Sequence, residues 1–413
     1  MESAVGASRG FRRAYQAGTR DREGQFMGGT EIMQLVPHLG KLYAVTSTMW
    51  DRPGDDPAVG AQVLALDHPD HGWRVEHAID ARTQRMSLAS VAFTVDRHGH
   101  ALAAPTHVLL AGPSNGQGAI AVSQRDEGSG AWVRQLLGSA PRYTSVRCLY
   151  GHRDAVTGVD HVLAGTSPNG IYRGAYDAAG HIVWQAEPEL AGYEHRPMAF
   201  AVCNGVLHAA IKPHVYRRID GPAPRWEAVY TLPDGVSRIS SGLRGLTAVP
   251  HPSGDGECLL AALEGEEARI VRLDPRDGYR ATVELDVLDF LAQGDERPGY
   301  AIVAYNDMTP LATGALLLGL SVTTSRGPHT THPKDGWRPD ARYLVRDPDR
   351  QYHVRSIVDP DATRLASTRL VSTRTIEVSP FDRETLYFGG YDPHSTPSHN
   401  TAWVYAAPLA AAL

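Results

Sequence analysis

Short runs in which apolar and polar residues alternate, separated by Gly, Pro, Asn and Asp, follow one another along almost the whole chain. Such runs are β-strands that bury one face or both, and only residues 287–292 read as a turn of helix. One unit recurs within the pattern. A strand rich in Leu, Val and Ala stands at 42–46, 108–112, 162–165, 206–210, 259–263, 316–320 and 386–390. Another strand precedes each copy, at 31–36, 86–94, 145–150, 196–202, 243–249, 300–305 and 374–379. Six of the copies lead to a strand that ends in Asp, a short turn, and an aromatic that opens the next strand: Asp67 to Trp73, Asp126 to Trp132, Asp177 to Trp184, Asp220 to Trp226, Asp274 to Tyr279 and Asp347 to Tyr352.

Four strands per unit, at about 59 residues, predict an all-β protein: a single seven-bladed β-propeller of four-stranded antiparallel blades spanning 1–413. The last unit has three strands of its own, the third at 400–406. Its fourth is expected from the N-terminal segment, residues 1–28, around Phe11 to Phe26, which closes the ring. A shifted boundary would give six or eight blades, or a two-domain β protein.

The turns at 123–132 and 217–226 resemble a degenerate Asp-box, the Ser-x-Asp-x-Gly-x-x-Trp turn of sialidase-like propellers. The resemblance covers the blade turns along most of the chain, with Ser and Gly absent from several copies. It implies a fold and transfers almost no function: Arg147, Arg196, Arg244, Tyr305, Glu377 and Asp51 could be cast in a sialidase-like mechanism, but the usual Phe-Arg-Ile-Pro segment is absent and the blade number differs. In these turns the Asp is expected to accept hydrogen bonds from turn amides and the aromatic to pack between blades.

Composition narrows the partners. A net charge of −6 argues against a general nucleic-acid or anionic-membrane binder. The N-terminus has no apolar leader-like region, and no run approaches the roughly 18 apolar residues of a membrane span, so a soluble, cytoplasmic protein with no required oligomer is expected. Cys148, Cys203 and Cys258 lack CxxC spacing and sit in apolar runs, as buried free thiols do. Positive charge is almost all Arg, with Lys41, Lys212 and Lys334 the only lysines.

The starts of the seven first strands carry Glu31, Arg85, Arg147, Arg196, Arg244, Asp307 and Arg374. Placed at one mouth of a propeller channel, the five arginines form a substrate-binding ring suited to carboxylate, sulfate or phosphate. Asp307, Glu377, His195, Tyr305 and Glu31 are the catalytic candidates there for proton transfer. The alternative is that each Arg staples neighbouring blades. Loops expected on the same face include 50–57, 113–118, 212–214, 324–338 and 390–400. Two of them hold His329, His332, His394 and His399, which with Asp51, Asp55 or Asp392 offer ligands for a divalent metal, although solvated loop histidines are the simpler account. His38, His152 and His251 are expected at turns on the opposite face.

No nucleotide-cofactor motif, GxSxG elbow, P-loop or HExxH is present. These features predict a hydrolase, lyase or cyclase acting on a small anionic or polar molecule. A non-catalytic propeller binding protein or carbohydrate on its top face, and a metal-dependent enzyme built on the His loops, are the alternatives.

Overall fold

The computed structural model describes residues 10–48, 59–78, 83, 85–115, 118–140, 144–191, 196–233, 242–292, 297–323, 341–359, 370, 372–391 and 400–413. Hydrogen-bonded neighbours group its strands into seven meanders of four. Sheet I comprises Glu31–His38, Lys41–Ser47, Gln62–Leu66 and Arg74–Ala78. Sheet II comprises Arg85–Val95, Ala101–Asn115, Gly118–Arg125 and Trp132–Ala140. Sheet III runs through Thr144–Arg153, Asp160–Ser167, Gly170–Tyr176 and Ile182–Trp184. Sheet IV takes Pro197–Cys203, Val206–Ile211, His214–Ile219 and Arg225–Thr231. Sheet V takes Gly242–Pro250, Glu257–Glu264, Arg269–Asp274 and Arg280–Asp286. Sheet VI holds Tyr300–Pro310, Leu316–Thr323, Arg342–Arg346 and Tyr352–Ser356. Sheet VII holds Ser372–Val378, Thr385–Tyr391 and Trp403–Pro408, and its fourth strand is Arg12–Gln16 from the other end of the chain.

One or two bridging pairs at strand ends join some of these sheets into larger ones, for example Arg342 with Ser372 and Ser114 with Ser145. The expected helical turn is the short helix Val287–Leu291. Among the described residues no helix is long and apolar enough to cross a membrane.

Two compact units emerge from the contacts. One consists of Met1–Arg85, Gly265–Ala268 and Val287–Leu413 and contains sheets I, VI and VII. The other consists of Met86–Glu264 and Arg269–Asp286 and contains sheets II to V.

Within each unit the cores lie between consecutive sheets. Leu317, Tyr343 and Val345 of sheet VI meet Ile376, Phe388 and Trp403 of sheet VII. Tyr387, Val404 and Tyr15 of sheet VII meet Ile32, Leu42, Leu64 and Trp73 of sheet I. In the second unit, sheets II and III share Phe93, Leu110, Val122, Val162 and Tyr172. Sheets III and IV share Leu163, Ile171, Phe200 and Tyr216. Sheets IV and V share Ala210, Val215, Leu246, Leu259 and Val271.

A missing Cβ sets how closely these sheets approach. Each of four second strands carries a glycine at which the next sheet's first strand lands. A Cβ on Gly112 would stand 2.5 Å from Val146 Cγ1, one on Gly165 2.7 Å from Pro197 Cβ, and one on Gly389 2.6 Å from Ile32 Cγ2. At Gly319 the obstacle is backbone, the Thr373 carbonyl oxygen at 2.6 Å. Their φ angles are not in the left-handed region, so clearance alone demands glycine.

The six Asp-to-aromatic turns all join third to fourth strands. Asp126, Asp177, Asp274 and Asp347 accept turn amides as expected, for instance Ala179 and His181 N–H on Asp177 Oδ1 at 3.0 and 2.9 Å. Asp67 instead pairs with Arg74 and Lys41, and these hold its carboxyl well below the usual range. Asp220 pairs with His152 and Arg218. The aromatics reach back toward the preceding sheet: Trp184 Nε1 donates to Gln135 Oε1 at 2.9 Å, and Tyr279 OH meets His208 Nε2 at 2.9 Å. All three cysteines are buried and free.

Two outcomes follow. Gly319→Ala should lower stability by about 1–3 kcal/mol in urea titrations, since backbone cannot yield to the new methyl as a side chain could. His161 and His208 are buried, and desolvation pushes each imidazole down to about 4. Below the ordinary His pKa only the unfolded chain takes up their protons, so stability should fall as pH drops from about 6.5 to about 4, by up to about 3 kcal/mol for each. His161→Asn should flatten that part of the stability–pH curve.

Candidate functional site

The first strand of most sheets carries one residue too many. Its register against the second strand skips at Met33, Arg147, Met198, Arg244 and Arg374, and in sheet VI residues 304–307 fall between the pairs of Val303 and Met308. These are β-bulges, which bend a strand and re-aim the extra side chain. Arg147, Arg244 and Arg374 therefore occupy one equivalent position. Arg196 and Glu31 do not, because each precedes its bulge by two residues. The single frame expected from the sequence divides into two.

In the first unit the bulge of sheet VII directs Arg374 inward, where its side chain is 5% exposed and Glu31's is 2%. Arg374 Nη1 donates to Glu31 Oε2 at 3.4 Å. Its guanidinium carbon lies 4.5 Å from the centroid of the Tyr305 ring, a cation–π contact. Ala304, at φ 51°, holds a left-handed conformation that turns the chain just before Tyr305. The Tyr305 hydroxyl meets that of Tyr391 at 2.8 Å. Beside them Ser372 Oγ donates to Ser321 Oγ at 2.6 Å. Burial, then Tyr305 and Glu31, push the Tyr391 phenol well above its ordinary pKa, so it stays protonated and able to donate. Arg374 Nε is buried with no acceptor among the described residues.

The remaining candidates of this unit lie nearby or apart. Ser47 pairs with Glu31 on one side and Arg85 on the other, so the backbones of those two strands flank it. Glu377, opposite Tyr387, accepts the Val378 amide at 2.9 Å. Asp307 belongs to the first strand of sheet VI, with its side chain outside the described part.

In the second unit Arg147 is buried at its bulge, with 5% exposure. Arg244 is half-buried and its Nε pairs with Glu264 Oε2. Lys212, in the connection leaving the second strand of sheet IV, lies near Arg244. Burial lowers its amine's pKa, Glu264 opposes that shift, and Arg244 and Arg196 add to it. Arg196 itself is exposed. The sequence reading had Lys212 in a same-face loop without a role, and it had neither Glu264 nor Tyr391.

His195, His329, His332, His394 and His399 lie outside the described residues, as do Asp51, Asp55 and Asp392. A different donor set, His251, Cys258 and Asp274, does converge, with all three ligand atoms within 4.8 Å of one another. Its hydrogen bonding suits a clamp better than a metal. His251 Nδ1 accepts the Ser253 amide at 3.0 Å, which leaves the ring proton on Nε2, aimed at Asp274 Oδ2 3.1 Å away. Burial also raises the Cys258 thiol.

The most buried ion network is equally self-contained. Arg218 donates to both Glu189 oxygens at 3.0 Å and to Asp154 at 3.0 Å, and it also pairs with Asp220. It ties sheet IV to the loops of sheet III and offers no open donor fork.

No protein-family model matches the chain, and no curated protein matches it. Solved structures similar to it include a Dyadobacter fermentans protein of unknown function, at 10% identity with 97% of this chain and 100% of that one covered and a TM-score of 0.43. Sqt1 from Chaetomium thermophilum is another, at 13% identity, 95% and 90% coverage, and a TM-score of 0.43.

The Glu31–Arg374 pair makes a distinct prediction. Arg374→Met should cost about 3–5 kcal/mol in chemical unfolding, because it takes the Arg374 cation away from a buried carboxylate. Adding Glu31→Gln should recover most of the loss, as a double-mutant cycle would show.

Proposed function

We propose that the seven sheets are the blades of one β-propeller, and that the protein is an enzyme of hydrolase, lyase or cyclase type acting on a small organic anion. Within each unit the bulge arginines hold an anion, and in the first unit Glu31 with Tyr305 exchange protons with it. The fold part is supported by the core layers between consecutive sheets and by the N-terminal strand completing sheet VII. The observation that carries the functional part is the recurrence of arginine at one bulge position in three sheets, as Arg147, Arg244 and Arg374. A structural need for a bulge explains an extra residue but not its charge, since Met33 and Met198 fill the same position. Around Arg374, Tyr305 and Tyr391 offer phenol donors and Glu31 a carboxylate, the pieces general acid–base chemistry requires.

Two of the three bulge arginines already have an internal carboxylate, Glu31 or Glu264. That pairing favours a second reading, in which the propeller is a non-catalytic module and the arginines staple its blades.

Calorimetric titration with inorganic phosphate and a set of mono- and dicarboxylates separates the two. Under the first reading one of these anions binds, and Arg147→Met, Arg244→Met and Arg374→Met/Glu31→Gln each weaken binding within their own unit by about tenfold or more, the loss of a charge-assisted bidentate contact. Unchanged binding in all three variants, with only their melting temperatures lowered, establishes the staple.

A further inference from the structure

Sheets IV and V bring three cations and one carboxylate together. Pro197 pairs with Ile211 as the last rung between the first two strands of sheet IV, so Arg196 and Lys212 are the next residues along facing strands. Gly242 pairs with Glu264 as the outermost rung of sheet V, and Arg244 follows two residues on. Lys212 crosses from one sheet to the other. A Cβ on Gly242 would stand 2.5 Å from Lys212 Cδ and 2.6 Å from its Cγ, so the lysine stem occupies the space a side chain there would take. The φ of Gly242 is not in the left-handed region, and the lysine's passage is what requires glycine. The stem is thereby confined, the amine is half-buried, and Arg244 and Arg196 both act on it electrostatically.

Confinement and neighbouring cations are the conditions under which a lysine sheds its proton and becomes a nucleophile. The same cations suit a carboxylate beside the carbonyl it would attack. We infer that Lys212 forms an imine with a 2-oxo acid whose carboxylate is held by Arg196 and Arg244. The inference rests on the reading that bulge arginines bind a small organic anion, and it names the class. The neutral amine adds its lone pair to the keto carbon, and the oxygen takes up a proton to give a carbinolamine. Loss of that oxygen as water leaves a C=N bond. One water is released, nothing is oxidised or reduced, and Glu264 is placed to relay the protons.

With only Lys41, Lys212 and Lys334 in the chain, the step can be read residue by residue. Lys41 serves as an internal control, since its amine sits 2.6 Å from Asp67 Oδ1. The full-length protein would be incubated at neutral pH with pyruvate and cyanoborohydride, which reduces an imine to a stable secondary amine, then digested and analysed by mass spectrometry. Lys212 is expected to carry the reduced adduct in excess over Lys41. Labelling should saturate with pyruvate, and Arg244→Met and Arg196→Met should diminish it while the melting curve confirms folding. Acetone, a carbonyl without a carboxylate, should label Lys212 without saturating and should lose less labelling in those variants than pyruvate does, since only pyruvate also loses its carboxylate contact. Equal labelling of the lysines, or labelling of Lys212 indifferent to both arginine variants, overturns the inference. Propionate, measured by titration, separates the two levels. Propionate binding without a pyruvate adduct removes the lysine chemistry and leaves the anion reading standing, whereas neither binding nor adduct removes both.

Discussion

Contact between the second strand of one sheet and the first strand of the next is the constraint on which the rest of the structure depends. Where Gly112, Gly165, Gly319 and Gly389 stand, no Cβ separates the two, and the following strand closes to van der Waals distance. A dense core is possible only at that spacing, because a gap of one methyl would forfeit packing along a whole layer. First strands pressed so tightly cannot also keep a regular register with their own partners. The bulges at Arg147 and Arg374 absorb the mismatch, and they aim long cationic side chains where a regular strand would have placed a core residue.

Burying such cations is costly, and the chain meets the cost in three ways. Arg218 is saturated by carboxylates on every side and serves as a cross-sheet tie. Arg374 has one carboxylate and an aromatic face, leaving one N–H without an acceptor among the described residues. Lys212 answers crowding by Arg196 and Arg244 with a lowered proton affinity. A saturated cation has little to offer a ligand, while the other two retain chemistry, which is why the functional proposals fall on them and not on the larger network.

Much of this organisation was legible in the sequence. Each of the seven strand pairs, the six Asp-to-aromatic turns, the helical turn at 287–291 and the N-terminal strand of sheet VII lies where the alternation and turn residues place it. These features are local, and apolar periodicity with turn chemistry specifies them. The alignment of the arginines was not legible. A bulge shifts every later position by one, so Arg196 reads like Arg147 in sequence although it stands two residues before its bulge at Met198. Tyr391 and Lys212 were missed for a related reason: each gains its role from residues far along the chain, Tyr305 for one and Gly242 with Arg244 for the other. Asp67 and Asp220 departed from the turn-capping role because basic partners, Lys41 and Arg74 in one case and Arg218 in the other, outcompeted the turn amides.

The pairing of Arg12–Gln16 with Trp403–Pro408 also orders events in time. Arg12–Gln16, made early, must wait without its partner until Trp403–Pro408 has been made. Through synthesis the nascent chain carries a sheet VII that cannot be completed, and the residues Phe11 and Tyr15 that finish two of the core layers stay in water. Completion of sheet VII therefore waits on a contact between residues far apart in the chain. Assembly is slow for that topology, and an uncovered Trp403–Pro408 edge is the surface by which an unfinished molecule would join another.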